Sequence, residues 1–156
     1  MTLDHLADRQ PFAEYAHRLF ALAETGELIV CVSSLSFSNL YYILRKLKGH
    51  AETMELLGKL KLLVRVTNVG EREIQSALAS QFKDFEDAIQ HFAAKADGDI
   101  SVIVTRDMAG YSASEIHALS PEEYFAKREP DCWVKAHRRI RLQPSTHATL
   151  KPPGHP

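Results

Sequence analysis

Short apolar runs alternate with amphipathic stretches of helical period along most of the chain. This alternation limits its fold more than any other feature. Leu28 to Val32 and Ile100 to Thr105 are rich in β-branched side chains, the pattern of strands buried on both faces. Weaker runs of the same kind lie at Leu63 to Thr67 and Ile116 to Leu119. Between them the spacing predicts helices. The first runs from Pro11 to about Thr25, with Asp8 as its cap, Gly26 as its stop, and Phe12, Tyr15, Ala16, Leu19, Leu22 and Ala23 on one face. The second starts at Ser34 or Ser36 and ends near Gly49, with Phe37, Leu40, Tyr41, Leu44 and Leu47 as its stripe. Others cover roughly 51–61, Glu71 to Ser80, Asp84 to Ala96, and Pro121 to about Lys127. Short strands alternating with helices predict an α/β fold, a parallel sheet with helices on both faces. Such sheets place their sites at the carboxyl ends of the strands.

The 156 residues, 45% apolar and 25% charged, are enough for one domain with a buried core. Apolar runs are too short for a membrane span, and Asp4, Asp8 and Arg9 interrupt the start where a leader would need its apolar stretch. Cys31 and Cys132 lie about a hundred residues apart with no ligand spacing around either. That excludes a disulfide framework or a cysteine-based zinc site and suits a cytoplasmic protein. Charge is uneven. Residues 1–126 hold 12 Lys and Arg against 18 Asp and Glu, whereas residues 127–156 hold 7 against 2. Five of the seven prolines also fall in the last stretch. The expectation is a domain over 1–128 followed by a basic, proline-rich tail over 129–156 that is disordered and stays out of the core.

Acids at the predicted strand ends and helix starts are the chemical candidates. Asp84, Glu86 and Asp87 open a helix whose predicted stripe is Phe85, Ile89, Phe92, Ala93 and Ala96; Asp87 lies off it. Acids in a first turn favour the helix dipole and cap free N–H groups, which explains them without any function. Asp107 follows directly on the strand Ile100 to Thr105. A loop Asx-turn before Gly110 would explain it equally well. Together the two places gain weight. Acids gathered at one edge of a parallel sheet can share Mg²⁺ or Mn²⁺, hard cations that take oxygen ligands and keep several waters. Carboxylates plus such a metal are a common kit for phosphodiester hydrolysis.

In order and spacing, these residues resemble a PIN domain, the metal-dependent ribonuclease fold used by the toxin of many bacterial type II toxin–antitoxin pairs. The likeness runs from Leu3 to about Ala126. It rests on Leu3 to Phe12, on Ser33 to Lys46 with Leu40-Tyr41-Tyr42-Ile43-Leu44-Arg45-Lys46, on Asp84 to Gln90, on Val104-Thr105-Arg106-Asp107, and on Leu119 to Phe125. The resemblance implies a three-layer α/β/α fold, an endoribonuclease activity and a Mg²⁺ or Mn²⁺ cofactor. It also implies an RNA substrate, a cognate antitoxin as protein partner, a homodimer as a further assembly, and no membrane. By position it makes Asp87 and Asp107 metal ligands and catalytic residues, with Asp84 as an auxiliary ligand. The family's second acid falls on Asn39, an amide that can orient water but brings no charge. The family also opens with an apolar interior strand ending in Asp. Met1-Thr2-Leu3 is too short to be that strand, so the N-terminal strand is expected to be missing.

Losing that strand and one further acid implies weak or absent cleavage. A non-catalytic relative that keeps the fold and binds RNA or a protein is therefore the second reading. A receiver-like or nucleotide-binding domain is the third, and the absence of a Gly-rich phosphate loop after a strand counts against its nucleotide form. Arg106, beside Asp107, is the basic residue most readily placed near a phosphate, with a salt bridge to a neighbouring acid as the alternative. His91, one helical turn beyond Asp87, could touch that carboxylate, but a structural role is the default.

Overall fold

The computed structural model describes residues 1–8, 10 and 13–128. Arg9, Pro11, Phe12 and the tail over 129–156 lie outside the described residues, and with them the predicted helix start at Pro11 and the expected disorder of the tail. Among the described residues, seven helices and four short strands follow one another: α1 (Thr2–Leu6), α2 (Ala13–Glu24), β1 (Val30–Ser33), α3 (Ser34–Lys48), α4 (His50–Leu63), β2 (Val64–Thr67), α5 (Glu71–Leu78), α6 (Phe85–Asp97), β3 (Val102–Val104), β4 (His117–Leu119) and α7 (Pro121–Arg128). The α/β class read from the alternation of runs is the class observed. Helix α1 was not expected; five residues are too few to show a period.

Local chemistry explains most boundaries. Ser33, at the end of β1, caps α3 by accepting the Ser36 N–H on its hydroxyl at 3.2 Å. The cap thus sits one residue before the predicted Ser34. Gly49 ends α3 and begins α4 with φ of 79° and ψ of 175°, a region essentially reserved for glycine that costs another residue about 1–3 kcal/mol. Asp8, ahead of the described part of α2, sits in a left-handed turn and accepts a bond from the Gln10 amide at 3.3 Å; whether it caps the helix start lies outside the described residues.

The strands pair in parallel, β1 with β2 and β3 with β4. They form two separate two-stranded sheets. The expectation that Leu28–Val32 and Ile100–Thr105 belong to one sheet is therefore corrected. A single sheet needs an unbroken ladder of backbone hydrogen bonds, and among the described residues no strand bridges β1 and β3. The same gap explains why β3 is only half-buried along its length, rather than buried on both faces. One apolar cluster gathers Phe20, Val32, Leu40, Leu44, Leu60 and Val64 around the first pair. A second gathers Leu19, Leu119, Tyr124 and Phe125 around the other. Neighbouring residues of α2, Leu19 and Phe20, thus serve different clusters and hold the two sheets to one body. Helices α2, α3 and α6 all pack on β1. Among the described residues no helix is long and apolar enough to cross a membrane.

Helix α6 is rotated from its predicted stripe. Ala88, Ile89, His91, Ala93 and Ala94 are its buried positions, while Phe85 is 48% exposed. Leu47, the last residue of the predicted α3 stripe, is likewise exposed.

Candidate metal centre

Asp84 is the N-cap of α6: its Oδ1 accepts the Asp87 N–H at 3.0 Å. Free N–H groups of the first helical turn call for such an acceptor. Asp107 caps the turn after β3 from its side chain, as a cap residue does three positions on, its Oδ1 accepting the Gly110 N–H at 3.0 Å, while its own N–H donates to Thr105 Oγ1 at 3.1 Å. Both acids thus serve a local structural role, although that of Asp107 is not the Asx-turn expected. Each uses one carboxylate oxygen and leaves the other.

The second oxygen of Asp107 meets an oxygen of Asp87 around Gly110. A Cβ placed there would overlap Asp87 Oδ2 and crowd Asp107 Oδ2 at 3.1 Å. The two carboxylates therefore face each other across a residue with no side chain, although they lie 20 positions apart in the chain. Burial raises the Asp87 pKa above its ordinary value. The Tyr111 hydrogen bond opposes that rise, and the charges of Asp84, Asp107 and Glu86 add to it. Clustered like charges disfavour ionisation unless a cation compensates them. Tyr111 is buried beside the pair, and burial together with the Asp87 carboxylate pushes its phenol well up from the usual value.

Asn39 lies on α3, which starts at the carboxyl end of β1, and is half-buried. Among the described residues no hydrogen bond joins it to Asp84, Asp87 or Asp107. The structure thus brings Asp84, Asp87 and Asp107 together and leaves Asn39 outside their contacts. Arg106 is engaged elsewhere: its Nε lies 3.5 Å from Oδ2 of Asp4, a fully buried carboxylate of α1. His91 does not serve Asp87 either. It is buried, with Nδ1 3.0 Å from the Ser114 hydroxyl. Sequence reasoning passed over Tyr111 and used Gly110 only as a turn marker. The Asp-to-Gly spacing was the one signal available; nothing local marks Tyr111.

The donor set is all oxygen, which suits a hard divalent cation. Among the described residues no group of three or more His, Cys, Asp or Glu is placed to hold a metal ion. The protein thus offers two facing carboxylates, with the Asp84 charge at their margin. That fits Mg²⁺ or Mn²⁺, which retain waters, and not a cation needing a full protein cage. An apolar groove lies elsewhere, between α3, α4 and β2, and is lined by Phe37, Met54, Leu57 and Val66 with no carboxylate. Comparison with known families finds a match to the model described as PIN domain over residues 1–109. No curated protein and no solved structure matches the chain.

Proposed function

The chain belongs to the PIN domain family, and we propose that it is a metal-dependent endoribonuclease, toxin-like, with Asp87 and Asp107 as the residues that hold Mg²⁺ or Mn²⁺. The observation that carries this reading is the meeting of their two carboxylates across Gly110. Asp84 stays at the margin, one oxygen committed to the helix cap, and contributes charge. Asn39 orients the attacking water through its amide and takes no proton. A bound divalent cation supplies Lewis-acid polarisation of the phosphodiester and a more acidic water. Two carboxylates retain such a cation less well than four, so cleavage by this chain is slow. RNA is the substrate, a cognate antitoxin the protein partner, and the cytoplasm the compartment that suits both.

Incubation of single-stranded RNA with the protein in Mg²⁺ or Mn²⁺ tests the reading, with a chelator and Asp107→Ala as controls. Slow cleavage that needs the metal and disappears in Asp107→Ala is the expected result. Cleavage that survives Asp107→Ala would remove these acids from the chemistry. RNA binding with no cleavage under any metal would favour the second reading, a non-catalytic binding module, for which Asn39 in place of an acid is the supporting observation.

A further inference from the structure

Helix α3 carries an outer face that core packing leaves unused. The helix starts at the carboxyl end of β1 and buries Leu40 and Leu44. Its last two turns leave Tyr42, Arg45 and Lys46 exposed, Tyr42 to 63%. Tyr41 beside them is held in a frame. Its hydroxyl is hydrogen-bonded to Nδ1 of His50 at 3.1 Å, across the Gly49 turn, and the two rings meet edge-on at 5.9 Å. The Arg45 guanidinium lies over the same ring, 5.8 Å from its centre. Tyr42 stands at 70° to Tyr41 with ring centres 5.6 Å apart. Positions 41, 42, 45 and 46 form one patch on a helix surface. Charge sets this patch apart. From Leu28 to Ala51 the sequence holds no Asp or Glu, although residues 1–126 carry 18. The next acid, Glu52, is paired with Lys48 at 2.8 Å. The helix dipole favours cations in a last turn, which explains Arg45 and Lys48 without a ligand. It explains neither the exposed Tyr42 ring nor an arginine laid over a neighbouring tyrosine.

We propose that this face of α3 is a binding track for single-stranded RNA: a base stacks on Tyr42, and Arg45 and Lys46 take backbone phosphates. The track rests on the reading of RNA as the substrate and adds where the strand lies. An aromatic face accepts any base and a phosphate contact carries no sequence information, so the track binds without sequence preference. Arg45 is already placed over Tyr41, and Tyr41 is held by His50, so little freedom is lost when a phosphate docks. The face also leads toward the site. Asn39, Tyr42 and Lys46 share one side of the helix by spacing, and Tyr42 lies about 4.5 Å farther along the axis than Asn39. Tyrosine and arginine also anchor protein interfaces, but a protein partner would draw on the exposed Ile43 and Leu47 of the same turns.

Fluorescence anisotropy of a labelled single-stranded RNA oligonucleotide tests the proposal on the full chain, in chelator and over a range of salt. The unaltered chain is compared with Tyr42→Ala, Tyr42→Phe, Arg45→Ala and Leu47→Ser. All three positions are exposed, so melting temperatures should hold. Tyr42→Ala should bind about tenfold more weakly, the scale of one stacked base, and Tyr42→Phe, which keeps the ring, should recover most of that loss. Arg45→Ala should also weaken binding, and should lower the slope of log affinity against log salt by about 0.7, the value for one phosphate contact to a single strand. Leu47→Ser removes only apolar surface and should bind as the unaltered chain does. Unchanged affinity in either Tyr42→Ala or Arg45→Ala would overturn the track. So would an equal loss in Leu47→Ser, which would mark an apolar protein-binding surface instead. Either result leaves the metal reading intact if Asp107→Ala still abolishes metal-dependent cleavage. An unaltered chain that neither binds nor cleaves RNA would overturn both.

Discussion

At the scale of single residues, Gly110 is the most demanding position. A methyl group there meets Asp87 Oδ2 and Asp107 Oδ2, the ends of two flexible side chains, not backbone. Gly110→Ala should therefore fold, because its φ is not in the left-handed range, yet spread the carboxylates. Displacing a catalytic group by about 1 Å costs on the order of a hundredfold in rate, and the expected loss in metal-dependent cleavage is of that order with little change in melting temperature. Asp87 makes a second prediction. Its pKa is raised in the folded protein, chiefly by burial. Between the ordinary value of 3.8 and the raised one, the folded state binds more protons than the unfolded state. Stability attributable to this group therefore falls as pH rises through that window, and the penalty is complete above it. Asp87→Asn should raise the melting temperature in chelator at neutral pH, and the gain should vanish below 3.8. A series of melts across that range checks it.

At the scale of elements, α6 and the loop after β3 behave as one unit, joined through His91 and Ser114 as well as through Lys95 and Glu115. Burial lowers the pKa of His91, with Lys95 acting the same way and Glu115 opposing. As pH falls below the ordinary value of 6.5, the unfolded chain takes up the proton first, so stability is lost until the folded imidazole also titrates. His5, lowered mainly by burial, has the same sign. Stability should therefore decline on acidification from neutrality. His91→Gln, which keeps a donor for Ser114, should make that slope shallower without abolishing it. His91→Ala leaves a hole, at a cost of about 2–3 kcal/mol. Chemical denaturation at several pH values measures both.

At the scale of the whole molecule, the division into two parallel pairs is the dominant fact. Both β1 and β3 keep a backbone edge with no partner strand among the described residues, a cost in unpaired donors and acceptors. A strand ending in Asp, joined ahead of Met1, would have a ladder to complete and a carboxylate to add. We expect this extension to raise both the melting temperature and the metal-dependent cleavage rate, and to raise the rate more than Asn39→Glu does. The substitution adds one charge to walls already formed, whereas the strand adds charge and scaffold together. Cleavage assays and melts on the two variants, with Asp107→Ala in the extended chain as the control, check this. A larger gain from Asn39→Glu would mean that charge at the site, not added scaffold, limits the rate.

The sequence by itself determined the α/β class, the order of ten of the eleven elements, and the places of Asp84, Asp87 and Asp107 at helix starts and a strand end. These depend on interactions within a turn or two: helical period, apolar runs, caps and glycine stops. Even the benign explanations of the acids, a helix cap and a turn capped by its own side chain, were readable for that reason. Tertiary structure alone decided which strands share a sheet, because a ladder depends on what lies between two strands and not on either strand's composition. It alone turned α6 so that Phe85 faces out and His91 faces in. It alone drew Arg106 to the buried Asp4, and set Gly110 and Tyr111 against a carboxylate that lies more than twenty positions away in the chain. Contacts of that kind are products of packing, and no local pattern encodes them.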